Sequence, residues 1–424
     1  MRIRRLIERS EPWVGLADQA VARGAGLITT IWLVRSLGLA TFGAFALANL
    51  VVLGVLAVYQ ALFVQPLATF VEQEQGAERA AYLRTARRLA AWGALGSAGL
   101  GMGLAFLLLG SVGAGPWAAL LPAIGLTCVG RCLHTHARGE AYAQRRPSRA
   151  LELDAVQAGT LLSILLGLSL TGWLSVASVL AAQGTAGLLA AVLRRERCLG
   201  RAELGKGWRG VLDQHWGHGR WLALMGLVQW GGSNAYVVAA AALVGPSAAG
   251  AIRAAQTLVG AVLVLANAVD DQLPVRLARL RVQAGSIAID RALRRLCVIA
   301  GSVAALASLL LFWGAELIVG AVYGPGQAGA VIALTGLAWL PIGSALFTVM
   351  QSAYRAEQST GVLSAIYLAW TCVALLVSEP LVSSYGLRGA TFGMSMQQLG
   401  LALSLMWVWF LRFLPTRDAK FASE

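Results

Sequence analysis

Charge is scarce in this sequence, and acid is scarcer than base. Charged residues are 13% of 424, against roughly 25% in a soluble domain. There are 20 acids to 34 bases, for a net charge of +14. Cysteine is sparse too. Cys128, Cys132, Cys198, Cys297 and Cys372 are scattered in or beside apolar runs, which argues against a disulfide framework. No Walker A loop, no GxSxG elbow and no GxGxxG opening a βαβ unit occurs, so ATP hydrolysis and other enzyme chemistry have no motif to rest on. Cys128, Cys132, His134 and His136 have some metal-like spacing. Two thiols and two imidazoles on one apolar helix are not a closed zinc site, so we expect no metal and no cofactor.

What fills the sequence is apolar. Hydrophobic residues make up 58% and the mean hydropathy is +0.68, which predicts an all-α polytopic membrane protein. The basic start, MRIRRLIERSEP, is followed by an apolar segment too long and too polar in its first half for a cleavable signal. Twelve spans are expected near 13–37, 43–70, 89–110, 116–138, 150–171, 173–193, 219–243, 249–273, 296–319, 327–352, 361–379 and 387–411. Links after the odd-numbered spans are short and almost uncharged, as in GLATFG (Gly38–Gly43). Nearly all the arginines and lysines fall on the other side, including Arg84, Arg87, Arg138, Arg145, Arg149, Arg294 and Arg295. The positive-inside rule therefore accounts for the net charge, which in a soluble chain would suggest nucleic acid. Both termini are expected in the cytoplasm.

A basic stretch near the middle divides the chain. We expect a six-helix lobe over 1–193, a cytoplasmic linker over 194–218, a second six-helix lobe over 219–411 and a cytoplasmic tail over 412–424. One constant offset carries Gly38 onto Gly245, Gly43 onto Gly250, Asn49 onto Gln256, Gln60 onto Asn267 and Arg87 onto Arg294. Six helices per half give both halves the same orientation, a parallel repeat of a kind common in transporters.

Polar residues within the spans mark candidate sites, because an ionisable group in hydrocarbon is costly and faces a partner or a wet cavity. Helical spacing puts Gln19, Arg23, Gly26 and Thr30 on one stripe of span one, Asn49 and Gln60 on one face of span two, and Arg253, Gln256 and Asn267 on one face of span eight. Arg23 lies ~15 Å into span one, near the midplane. Arg35 and Arg131 are further cavity candidates. Asp18 and Asp154 are candidates for binding a coupling ion, H+ or Na+, while Asp270 and Asp271 read as an ordinary helix end. Deep arginines favour an anionic substrate, since guanidinium binds phosphate bidentately. Trp32, Trp230 and Trp339 could stack on sugar or anchor at the interface. The plain alternative for the amides is interhelical hydrogen bonding.

ADQAV at Ala17–Val21, then RSLG-x-x-x-FG-x-FAL from Arg35 to Leu47, then Gln60 and Pro66, resemble the opening of polysaccharide flippases. These are the O-antigen-unit (Wzx-type) branch of the multidrug/oligosaccharidyl-lipid/polysaccharide (MOP) superfamily. The resemblance implies two six-helix lobes in a V around a central cavity. It also implies a bacterial inner-membrane flippase that moves an undecaprenyl-pyrophosphate-linked oligosaccharide to the outer leaflet by alternating access, alongside glycan polymerase or export partners. Two other classes compete. A drug/cation antiporter of the same superfamily should rely on intramembrane acids, whereas the deep charges here are mainly arginine. A polysaccharide polymerase or ligase needs a sizeable outer loop, and the outer links here are a few residues each.

Overall fold

The computed structural model describes residues 2–111, 117–193, 207–270, 273–357 and 359–413. Within these, no side chain is described for 2–16, 19, 108–111, 117, 264–270, most of 274–287, 360 and 412–413. Among the described residues every regular element is a helix. They are α1 (Arg2–Tyr59), a π-helical turn (Gln60–Val64), α2 (Gln65–Phe70), α3 (Gly76–Ser111), a 3-10 turn (Trp117–Leu120), α4 (Leu121–Ala143), α5 (Pro147–Leu170), α6 (Val176–Val192), α7 (Trp208–Leu243), α8 (Pro246–Asp270), α9 (Leu273–Trp313), α10 (Ala315–Tyr323), α11 (Ala328–Leu337), α12 (Leu340–Ala356) and α13 (Thr360–Phe413). Seven described helical stretches are long and apolar enough to cross a membrane. Two of them, Ala20–Phe70 and Gly361–Leu411, have 51 residues each, about twice what one crossing needs.

Those two stretches show how the expected span boundaries change. The GLATFG link reduces to one residue: Gly38, with φ 75°, breaks α1. Gly386, with φ 57°, breaks α13 where a longer link was expected. A non-glycine residue would be strained at either break. The sequence-based starts of spans three and seven, 89 and 219, also fall inside helices that begin at Gly76 and Trp208.

The chain forms two compact units, Met1–Leu33 with Ala44–Trp230, and Val34–Gly43 with Gly231–Glu424. In the first, α4 packs along α6 with glycine against backbone. A methyl on Gly130 would sit 1.9 Å from the Gly184 carbonyl oxygen, and one on Gly187 would sit 2.6 Å from that of Gly130. Thr127 Oγ1 donates across the same seam to the Leu180 carbonyl at 2.7 Å. Lipid supplies no hydrophobic drive between helices, so such close approach is what holds them. In the second unit the repeat is visible in the backbone. Gly38 and Gly245, related by the offset, both have positive φ, and their partners Gly43 and Gly250 abut so closely that a methyl on Gly43 would sit 1.8 Å from the Pro246 carbonyl oxygen.

One proline sets up a contact in the first unit. Pro66 has no N–H to offer the carbonyl four residues earlier, that of Leu62, at the π-helical turn. His215 of α7 answers that carbonyl with Nδ1 at 3.1 Å, while its Nε2 lies 2.8 Å from the Tyr82 hydroxyl. This pairing is the neutral tautomer in which Nδ1 donates and Nε2 accepts. Burial holds the imidazole below its ordinary value, the Leu62 bond opposes that, and nearby His218 adds to the lowering. A folded-state value below the unfolded 6.5 means stability is full above that pH and is lost as pH falls through it. Thermal unfolding of detergent-purified protein should therefore show a transition temperature that drops between pH 7 and pH 5. His215→Phe should flatten that dependence and cost about 1–3 kcal/mol at pH 7.5 by orphaning the Leu62 carbonyl.

Candidate functional site

The first unit encloses a cavity of about 410 Å3. Its walls follow from helical spacing. On α4, Arg131, His134, Thr135 and Arg138 are spaced i, i+3, i+4 and i+7 and share one face, while Gly130 on the far side meets α6. On α5, Asp154, Gln157, Ala158 and Leu161 repeat the same spacing. The first half of α1 contributes small residues, among them Gly26, Thr29 and Thr30, its second half contributes Asn49, and the π-helical turn contributes Gln60. Gln183 of α6 completes the wall.

At one end of this cavity lies a buried ion network. Arg138 Nη2 donates to Asp18 Oδ2 at 2.5 Å, and the Tyr142 hydroxyl donates to the same oxygen at 2.5 Å. Arg138 Nε lies 3.0 Å from Asp154 Oδ2, and His134 Nε2 lies 3.1 Å from Asp154 Oδ1. These last two approaches are ion-pair contacts whose angles do not make hydrogen bonds. Asp18 is fully buried and Asp154 nearly so, yet Asp18 Oδ1 meets no donor. The cluster thus combines two carboxylates, a guanidinium, an imidazole and a phenol beside a polar cavity.

Arg131 stands apart from that network. Its Nη1 donates to Asn49 Oδ1 at 3.0 Å, and no carboxylate answers it among the described residues. Arg253, in the second unit, is in the same position. Nη1 donates to Gln256 Oε1 at 2.8 Å and Nη2 to Asn234 Oδ1 at 2.5 Å, again without a carboxylate. Asn49 and Gln256 are the residues related by the sequence offset, so each unit presents a half-buried guanidinium bound to the amide at that position. Gln256 lines a separate small pocket with Ser233, Tyr367, Gln397 and Gln398.

The other candidates are distributed differently. Asn49 and Gln60 meet on the cavity wall of the first unit, whereas Arg23 is exposed and does not line that cavity. Arg35 donates from Nε to the Val322 carbonyl at 2.7 Å and from Nη2 to the Ala321 carbonyl at 2.6 Å, so it caps the C-terminal end of α10, where a cation also suits the helix dipole. The side chains of Gln19, Asn267 and Asp270, and all of Asp271, lie outside the described residues. Trp32 Nε1 donates to Ser169 Oγ at 3.2 Å, and Trp230 Nε1 donates to the Leu50 carbonyl at 3.2 Å. Arg138 and Arg87 were read as loop charges and are not. Arg138 is the bridge just described, and Arg87 makes a two-pronged ion pair with buried Glu140. The i, i+3, i+7 spacing of Arg131, His134 and Arg138 was a signal for this face, hidden because Arg138 sits at the end of an apolar run, where topology arginines gather.

Removing Arg138 would leave two buried carboxylates uncompensated, a loss of roughly 3–5 kcal/mol. Arg138→Ala should therefore sharply reduce the monodisperse fraction in detergent size exclusion. Adding Asp18→Asn, which removes one of the stranded charges, should recover part of it.

No protein-family model and no curated protein matches the sequence. Solved structures do match the fold. An inward-facing multidrug resistance MATE-family transporter of the MOP superfamily superposes with a TM-score of 0.77 at 13% identity, over 94% of this chain and 96% of that one. The lipid II flippase MurJ, in an inward closed conformation, gives 0.73 at 12% identity, over 92% and 86%. A MOP-superfamily transporter from Pyrococcus furiosus, whose binding pocket is described as having reversed polarity, gives 0.62 at 13% identity, over 95% and 93%. At such identities the likeness is one of architecture: this chain has the polytopic all-helical fold of MOP-superfamily transporters.

Proposed function

We propose that the chain is a MOP-superfamily transporter that flips a lipid-linked, anionic oligosaccharide from the cytoplasmic to the outer leaflet of a bacterial inner membrane. One observation carries this reading. The buried acids Asp18 and Asp154 share the guanidinium of Arg138, with the His134 ring beside Asp154, whereas the half-buried guanidiniums Arg131 and Arg253 have only neutral amide partners among the described residues. These two guanidiniums lack a carboxylate among the described residues, so the substrate that complements them is an anion. A lipid-linked pyrophosphate fits, because guanidinium and carboxamide donors bind phosphate oxygens while amides also accommodate sugar hydroxyls.

In this reading Arg131, Asn49 and Gln60 touch substrate in the first unit, and Gln256, held by Arg253, does so in the second. Asp18 and Asp154 bind the coupling ion, H+ or Na+. Protonating either carboxylate would release part of Arg138, which links an ion to a rearrangement of α1, α4 and α5. Twelve spans in two six-helix lobes, 1–193 and 219–411, complete the scheme.

The second reading is an ion-coupled drug or cation antiporter. The Asp18–Arg138–Asp154–His134 cluster favours it, since paired acids suit cation exchange, and a MATE transporter is among the similar folds.

Complementation of a flippase-deficient bacterium separates the two. On the flippase reading the wild-type chain restores glycan export, Arg131→Gln lowers it at least tenfold at equal protein level, and Arg131→Lys is intermediate. Arg23→Ala, at an exposed position, should retain export. Absence of export together with efflux of a cationic dye would reject the flippase and favour the antiporter. Topology is checked separately: reporter fusions at Ala114, Val244 and Gly326 should read outside, and fusions at Gly76, Gly200 and Ser423 inside.

A further inference from the structure

Adjacent glutamines on α13, Gln397 and Gln398, line a small pocket in the second unit, of about 130 Å3. Opposite them are Ser233 of α7, Gln256 of α8 and Tyr367 from the first half of α13. The rest of the wall is apolar, with Leu340, Met394 and Leu401. The volume holds several waters, and hence one sugar-sized group.

The glutamines are fixed by backbone contact. A methyl on Gly343 of α12 would sit 2.7 Å from the Leu399 nitrogen and 2.8 Å from the Gln398 carbonyl carbon. One turn on, a methyl on Gly400 would sit 2.1 Å from the Trp370 ring, and Trp370 Nε1 donates to Ser404 Oγ at 3.0 Å. The second half of α13 is thus seated closely against α12 at Gly343 and against its own first half at Trp370. The amides of Gln397 and Gln398 have no hydrogen-bond partner among the described residues. Gln256 has its oxygen occupied by Arg253, which leaves its NH2 group as a donor.

Three features define what would fit. Carboxamides donate and accept, as sugar hydroxyls do. The apolar remainder matches the C–H face of a pyranose ring. No carboxylate lines the pocket or answers Arg253 among the described residues, so a cation has no ligand there and an anion meets an unneutralised guanidinium one residue behind the wall. We infer that this pocket binds the ring of an acidic sugar, with Gln256, Gln397 and Gln398 on its hydroxyls and Arg253 positioning Gln256 and favouring the acid. The inference rests on the reading of a glycan substrate and assigns this pocket to one sugar unit of it.

The test uses the full chain in lipid nanodiscs, with glucuronate and glucose titrated into the millimolar range and read by tryptophan fluorescence. Saturable binding is expected, with glucuronate at least fivefold tighter than glucose. Gln256→Leu and Gln398→Leu should each weaken both sugars at least tenfold. Where a leucine variant fails to fold, Gln398→Asn, one methylene shorter, should weaken both in the same direction. Arg253→Met should bring the glucuronate-to-glucose ratio to about one, which a purely structural role would not do. Absence of saturable binding to the wild type, or unchanged affinity in folded glutamine variants, overturns the inference. Sugar binding without restored export in the complementation assay keeps the pocket and removes the flippase reading. Export without sugar binding keeps the flippase and removes the pocket.

Discussion

The guanidinium of Arg138 stands between two buried carboxylates, Asp18 on α1 and Asp154 on α5, and that bridge fixes how three helices meet around the first unit's cavity. Ions at membrane depth cannot be left to water. Each must find a partner, and the geometry of the partners then constrains the helices that carry them. Tyr142 and His134 complete the same constraint from α4. Because both acids share one cation, a change of charge on either alters the hold on the other, so the interaction that stabilises the unit is also the one an ion could switch.

The rest of the packing solves a related problem for the backbone. Glycines at 130, 184 and 187 let α4 and α6 approach until side chains no longer separate them. Pro66 leaves the Leu62 carbonyl open, and a histidine from α7 closes it. Arg35 does the same for the end of α10. An unanswered backbone carbonyl costs about 1–3 kcal/mol once buried, and here long polar side chains answer it.

The substrate-facing chemistry is what remains after that accounting. Arg131 and Arg253 are half-buried and answered only by amides among the described residues, and those amides, Asn49 and Gln256, are related by the sequence offset. A partly desolvated cation without a counter-charge is kept at a cost in stability, and an anionic ligand is the complement that offsets it. Each unit's polar pocket has its own character: acid, base and imidazole around the larger one, neutral amides around the smaller.

The sequence by itself determined the helical, membrane-spanning character, the uneven placement of charge and the repeat. All three are properties of composition and spacing along one chain, and the hydrocarbon slab acts on them directly. It also flagged Asn49, Gln60, Gln256 and Arg253, whose polarity inside apolar runs is visible without a partner. It did not reveal that Asp18 and Asp154 share Arg138, nor that Arg35 caps α10, nor that Gln397 and Gln398 face Gln256. Those pairings join different helices, most of them more than a hundred positions apart, and periodicity gives the face a residue occupies on its own helix but not which helix that face meets. Arg23 and Arg131 show the difference. Both read as deep arginines, but only the tertiary structure turned one toward a cavity wall and left the other exposed.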